Sequence, residues 1–231
     1  MKLLSAKISQ IISYVTICIG LIVCIGWILD IPFLTSIIPN AVTMKFSTSL
    51  SFIFSGITIY FISKYNEGKI GIAQIAVPIS GFVVFLFMAT LLTAYVFGIT
   101  SGIEQLFVRE SSDAIKSSLP GMPSFPTMVN FILIIIAGMF AFSESRLRKL
   151  IRPIGYVIST IGIISIVGYA INQPILYYYI DNANSAMAIH TSILFAALGI
   201  ALILSRNNTI AQHIKSVKIY TKITSLFLAS S

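Results

Sequence analysis

Few residues in this chain can do chemistry, and His190 is the first to weigh. It stands in Met187-Ala188-Ile189-His190-Thr191-Ser192-Ile193-Leu194-Phe195, at the head of an apolar run that passes Gly199. A buried imidazole can ligate a metal or haem, or change charge as the pH changes. The other histidine, His213, lies beyond that run in a basic stretch. A one-histidine metal site would need carboxylates such as Asp30 or Asp181. The default for a lone imidazole among apolar neighbours is packing or local hydrogen bonding. Cys18 and Cys24 are six residues apart. On a helix that is about 600° of rotation, so the thiols point apart and read as packing groups rather than a disulfide. There is no phosphate-binding glycine loop, no His-Glu-x-x-His and no Ser-His-Asp arrangement in a credible context. The expectation is no catalysis, no cofactor and no metal.

The elements that hold these residues are set by hydropathy. Hydrophobic residues make up 57% of the 231 and charged residues 10%, too little polar surface to cover a water-soluble fold. Between neighbouring charges lie six uncharged runs of 18 to 34 residues. A bilayer core needs about 20 apolar residues as helix. The runs place spans at 8–29, 46–63, 76–97, 127–143, 153–172 and 187–205. Lys45 is expected to snorkel and lengthen the second. Continuous rather than alternating apolar runs exclude a β-barrel. The basic start, Met1 to Lys7, has no clean cleavage site after it and reads as the lead into an uncleaved first span.

The net charge of +8 is distributed as membrane orientation, not as a nucleic-acid footprint. With a cytoplasmic N-terminus, 12 of the 15 basic residues fall on inner segments and only Lys45, Arg109 and Lys116 on outer ones. Both ends are therefore expected in the cytoplasm. Prolines and glycines punctuate the outer side, at Pro32, Pro39, Pro120, Gly121, Pro123, Pro126 and Pro174. Pro126 and Pro78 are both expected near helix starts, where a missing N–H costs little. The longest outer loop, about 99–126, is expected to carry a short surface helix over Gly102–Ser117 and reads either as a ligand cap or as a solvated connector.

Two motifs recur three times. Thr-x-x-x-Phe appears as Thr48 with Phe52, Thr127 with Phe131 and Thr191 with Phe195, with Gly56, Gly138 and Gly199 beyond. Before each comes a small residue, an amphipathic aromatic and a turn-former three later: Gly26-Trp27 with Asp30, Ala94-Tyr95 with Gly98, Gly168-Tyr169 with Asn172. The aromatics suit the membrane interface and the turn-formers end helices. The pattern predicts an all-α integral membrane fold of three parallel two-helix repeats, about 8–63, 76–143 and 153–205, within a domain of residues 1–205. An even number of spans per repeat gives every repeat the same orientation, unlike inverted transporter repeats. Three helix N-termini then face one outer region, favouring an anion or carbonyl there, although Thr48, Thr127 and Thr191 also read as caps or first-turn residues. Trp27, Thr48, Tyr95, Thr127, Tyr169, His190 and Thr191 form the candidate outer ligand region. The small residues Gly56, Gly138, Gly199, Ala197 and Ala201 read as helix-packing positions. Tyr177, Tyr178 and Tyr179 read as an interfacial belt. Residues 206–231, with Ile210, Ile214 and Val217 at helical spacing beside Lys215 and Lys218, predict a basic amphipathic helix on the cytoplasmic surface.

At Met187-Ala188-Ile189-His190-Thr191 with Phe195 and Gly199, the chain resembles the multi-span N-terminal input modules of bacterial and archaeal sensor histidine kinases. The resemblance covers about 12–205 and implies signal input across a membrane; it carries over no catalytic residue and no ligand set. No kinase-type region follows Arg206 in this sequence. The expected function is a sensory module without its own catalysis, partnered by the bilayer and by a membrane protein or a cytoplasmic output protein engaging 206–231. The alternatives are an accessory subunit of a membrane complex and a small-solute channel or carrier. The scarcity of buried charge and the parallel pattern count against the last.

Overall fold

The computed structural model describes residues 2–36, 41–68, 70–110, 115–117, 119–180 and 185–205. The predicted tail helix at 206–231, Asp181 and His213 lie outside the described residues. Among the described residues all regular structure is helical. The helices are α1 (Lys2–Ile28), α2 (Pro32–Thr35), α3 (Phe46–Asn66), α4 (Ile70–Phe97), α5 (Phe125–Ala141), α6 (Ser145–Arg148), α7 (Ile151–Ala170) and α8 (Ile189–Ser205). Four stretches, Leu4–Ile28, Phe46–Asn66, Ile70–Phe97 and Ser145–Ala170, are long and apolar enough to cross a membrane. The helices α5 and α8 have 17 residues each, about 25 Å of rise. That is somewhat less than a hydrocarbon core of about 30 Å.

Two expectations need correction. Helix α4 begins at Ile70, six residues before the expected span, so Pro78 lies inside it and not in its first turn. Its ring therefore removes a hydrogen bond to the Gln74 carbonyl. The helix extends back because Gly71 to Gln74 are uncharged and the preceding turn needs only Glu67 and Gly68. The surface helix expected over Gly102–Ser117 is reduced, among the described residues, to one 3-10 turn at Ile103–Gln105. There the Glu104 carboxylate accepts from the Ser101 N–H and hydroxyl, which closes a tight turn instead of propagating a helix.

The turn-formers behave as their types dictate. Asp30, Gly98 and Asn172 take left-handed conformations, with φ of 53°, 63° and 51°. In each case the next N–H returns to the carbonyl five residues back: Ile31 to Gly26 at 2.8 Å, Ile99 to Ala94 at 3.0 Å, Gln173 to Gly168 at 2.8 Å. This is the six-to-one closure of a Schellman helix end. Two of these ends lead directly into short proline-started helical turns, at Pro32 and Pro174.

Helix α1 packs on α3, α4 on α5, and α7 on α8. Each first helix also touches a neighbouring pair: α4 meets α3, α7 meets α5, and α1 meets α8. At the centre Phe52, Phe131 and Phe195 are fully buried, and their ring centroids lie 4.8, 4.8 and 4.9 Å apart. Edge-on and tilted aromatic pairs of this kind add about 0.5–1.5 kcal/mol each beyond burial. Hydroxyls and amides stitch the helices: Ser9 donates to the Ala201 carbonyl at 2.9 Å, Thr58 and Ser80 share a bond of 2.7 Å, and Asn66 donates to the Ser205 carbonyl at 2.9 Å. Such bonds are local glue where no water competes.

Candidate functional site

The richest polar arrangement sits at one end of the bundle, where the α4–α5 connection crosses the other connections. Lys45 immediately precedes α3, so its ammonium starts at a helix N-terminus, where a positive charge gains nothing from the dipole. A counter-ion must therefore come from elsewhere, and Glu110 supplies it. The Lys45 Nζ donates to the two carboxylate oxygens of Glu110 at 2.6 and 2.7 Å and to the Ser117 hydroxyl at 3.0 Å. The two side chains are 4% and 6% exposed, so the pair is desolvated. Glu110 also accepts from the Thr43 hydroxyl at 3.0 Å and the Gly121 N–H at 2.6 Å. Burial pulls the Lys45 ammonium below the ordinary lysine range, and the charge and hydrogen bonds of Glu110 oppose that pull. Lys45 thus does not snorkel to water as expected; it turns inward to Glu110.

A second cation carries the loop onto the α7–α8 connection. The Lys116 ammonium bonds the Tyr177 hydroxyl and lies 4.8 Å from the Tyr177 ring and 5.8 Å from that of Tyr179. Its carbonyl accepts from the Ala186 N–H at 3.0 Å, and Ser117 shares a hydrogen bond of 3.3 Å with Ser185. The loop is therefore fastened to the segment before α3 by Glu110 and to the segment before α8 by Lys116.

The seven residues expected to form a ligand region lie at this same end but do different things. The Trp27 indole N–H donates to the Met44 carbonyl at 2.7 Å, and the Tyr169 hydroxyl donates to the Met187 carbonyl at 2.8 Å. Both carbonyls lie eight residues before a central phenylalanine, so each aromatic closes the top of its own helix pair. Tyr169 also stacks on Tyr177 at 4.3 Å. The Tyr95 ring lies 5.8 Å from Phe125. Thr48, Thr127 and Thr191 are buried, and each is the third residue of its helix. None occupies a cap position: Lys45 and Ser124 precede α3 and α5 and make no side-chain cap bond. Thr127 instead shares a hydrogen bond of 2.8 Å with the Ser124 hydroxyl. His190 is 4% exposed, and its ring makes no closer polar contact than a loose one to the Thr35 backbone; the side-chain amide of the fully buried Asn130 has no hydrogen-bond partner.

Beside the ion pair, a groove of about 390 Å³ is lined by Trp27, Asp30, Pro32, Thr43, Arg109 and Glu110, among others. Of the seven expected residues it takes in only Trp27. Among the described residues no three His, Cys, Asp or Glu side chains group as metal ligands. The Lys45–Glu110 pair escaped sequence reasoning because a separation of 65 residues carries no periodic signal. The trace it left was the isolation of Lys45 as the one cation between the first two apolar runs. No family model, curated protein or solved structure matches the chain.

Proposed function

We propose that the chain is a six-span membrane module of three like-oriented hairpins with both ends cytoplasmic, and that it acts as a signal-input unit without its own catalysis. The observation that carries the reading is the fastened α4–α5 connection. Through Glu110 it holds the segment before α3, and through Lys116 the segment before α8. A ligand or field that displaces this cap acts on all three helix pairs at once. The central phenylalanines pass that displacement between pairs, since packed aromatic cores shift as units rather than deform smoothly. The matching contacts of Trp27 and Tyr169, and the matching left-handed turns at Asp30, Gly98 and Asn172, support the hairpin repeat. The likeness to kinase input modules and the inner excess of lysine and arginine support the signalling role and the orientation.

The test is to unlatch the cap and watch the opposite end. Spin labels at Lys64 and Arg148 in the reconstituted chain report the distance between the inner ends of α3 and α6. The reading expects Glu110→Gln to shift or broaden that distance. An unchanged distance with an intact fold sinks it. A second reading is an accessory subunit, favoured by the apolar flank of α4, where Ile72, Ile75, Ile79 and Phe82 are 59–70% exposed. Recovery of a stoichiometric membrane partner in mild detergent favours it. The channel or carrier reading is the weakest, because three phenylalanines fill the axis between the pairs.

A further inference from the structure

The three helix pairs are not equally filled. Between α4 and α5, floored by Thr58 of α3, runs an apolar groove of about 420 Å³, bordered by Pro78, Gly81, Phe82, Phe85, Gly138 and Phe142. Three of those residues explain why it is open. Pro78 interrupts the hydrogen-bond ladder of α4. Gly81 contributes no side chain, and a Cβ placed there would meet only Ile135, at 3.8 Å. Gly138 lets α5 close on Thr58 and Val77 without a side chain of its own. The floor offers no free polar group, since one of the Thr58 and Ser80 hydroxyls donates to the other at 2.7 Å and the second donates to a carbonyl of its own helix. The groove is therefore shaped for hydrocarbon.

The charge at its end says whose hydrocarbon. Phe142, just after α5, marks the groove's limit, and the next ten residues carry Arg146, Arg148, Lys149 and Arg152 against the single acid Glu144. Four residues of chain reach at most about 14 Å, so Arg146 lies within a headgroup's span of the groove. Among the described residues neither Arg146 nor Arg148 makes an ion pair. We propose that this groove binds one acyl chain of an anionic phospholipid of the inner leaflet, with the phosphate held by Arg146 and Arg148. A basic cluster at the cytoplasmic end of an interhelical crevice is the usual chemistry of such sites. The proposal rests on the membrane orientation given above.

The experiment reads lipid identity at the groove. In a Trp27→Tyr background, which keeps a hydroxyl donor where Tyr169 has one, a single tryptophan is placed by Phe82→Trp or, as control, by Ile163→Trp. Both positions are the thirteenth residues of their helices and face outward, at 61% and 49% exposure. The chain is reconstituted in phosphatidylcholine vesicles containing brominated phosphatidylglycerol or brominated phosphatidylcholine. At Phe82→Trp the anionic lipid should quench at a mole fraction about fivefold lower than the neutral one. At Ile163→Trp the two lipids should quench alike. Adding Arg146→Gln with Arg148→Gln, or Gly81→Leu, should abolish the preference. No preference at Phe82→Trp, or a preference indifferent to the arginines, overturns the proposal. So does an unquenched Phe82→Trp beside a quenched control, which means that protein fills the groove. If neither tryptophan is quenched by either lipid, the membrane-spanning arrangement itself has failed, and the site fails for that reason.

Discussion

The α7–α8 pair and the α4–α5 pair solve one packing problem in opposite ways. In α7–α8, glycines let the backbones touch: a Cβ at Gly199 would sit 2.5 Å from the Gly155 carbonyl and 2.5 Å from the Ser159 N–H, and one at Gly162 would sit 2.6 Å from the Ser192 carbonyl. The α1–α3 pair repeats the arrangement, with Gly56 against Ser13 and Gly20 against Ser49. In α4–α5 only the first helix has a glycine at this contact. Gly81 of α4 faces the bulky Ile135 where Gly155 faces Gly199, so the backbones stand apart and a groove opens. The pair that seals least well through its helices is the one whose connecting loop carries the buried Lys45–Glu110 bond. Close backbone contact and a polar latch are alternative means to the same end, and the molecule uses each where the other is lacking.

The latch is the first thing to break. Lys45→Met leaves the Glu110 carboxylate buried without its cation, and removing one partner of such a pair costs about 3–5 kcal/mol. Thermal unfolding in detergent should show that loss. Lys45→Met with Glu110→Leu removes both charges and should recover most of it, because the desolvation cost disappears with the attraction. A double variant as unstable as the single would show that the loop is held by something other than this pair.

The sealed pair comes next. Gly199→Leu drives a side chain into the backbone of α7, where no flexible group can give way. Overpacking costs about 1–3 kcal/mol where side chains can shift, and the upper end is expected here, with reduced monodisperse yield on size-exclusion chromatography. Phe131→Leu should cost about 1–2 kcal/mol through its two lost ring contacts. Phe52→Leu and Phe195→Leu should cost the same, since each ring meets the other two at nearly equal distance. Unequal losses would separate the pairs at their centre as well as at their flanks.

Local rules made part of this legible in the sequence. The left-handed turns at Asp30, Gly98 and Asn172 follow from residue type and a three-residue offset from an aromatic. The threonines and phenylalanines at fixed spacing gave helix starts and, through periodicity, a shared interior face. Other features depend on residues that meet only after folding. Glu110 reaches Lys45 across 65 residues, and Lys116 reaches Tyr177 across 61. Hydropathy also cannot tell where an uncharged helix begins, so it puts Pro78 near a helix start, whereas Pro78 lies inside α4. The candidate ligand residues belong to recurring motifs. A motif shared by successive helix pairs puts its members on separate pairs, so Trp27 and Tyr169 each close their own.

The smallest expected effect discriminates best between the two kinds of packing. Gly81→Leu in α4 and Gly199→Leu in α8 are the same substitution at facing positions of their pairs. At Gly81 the added Cβ meets one ordinary contact, to Ile135 at 3.8 Å, and the rest of the side chain extends toward the groove. It also replaces a poor helix former by a good one, a gain of up to about 1 kcal/mol. The expected result is a melting temperature unchanged or slightly raised, against a clear fall for Gly199→Leu under identical conditions. The sign of the difference matters more than its size. If both substitutions lower stability alike, α4 and α5 close on each other as tightly as α7 and α8 do, and the groove has no place in the folded protein.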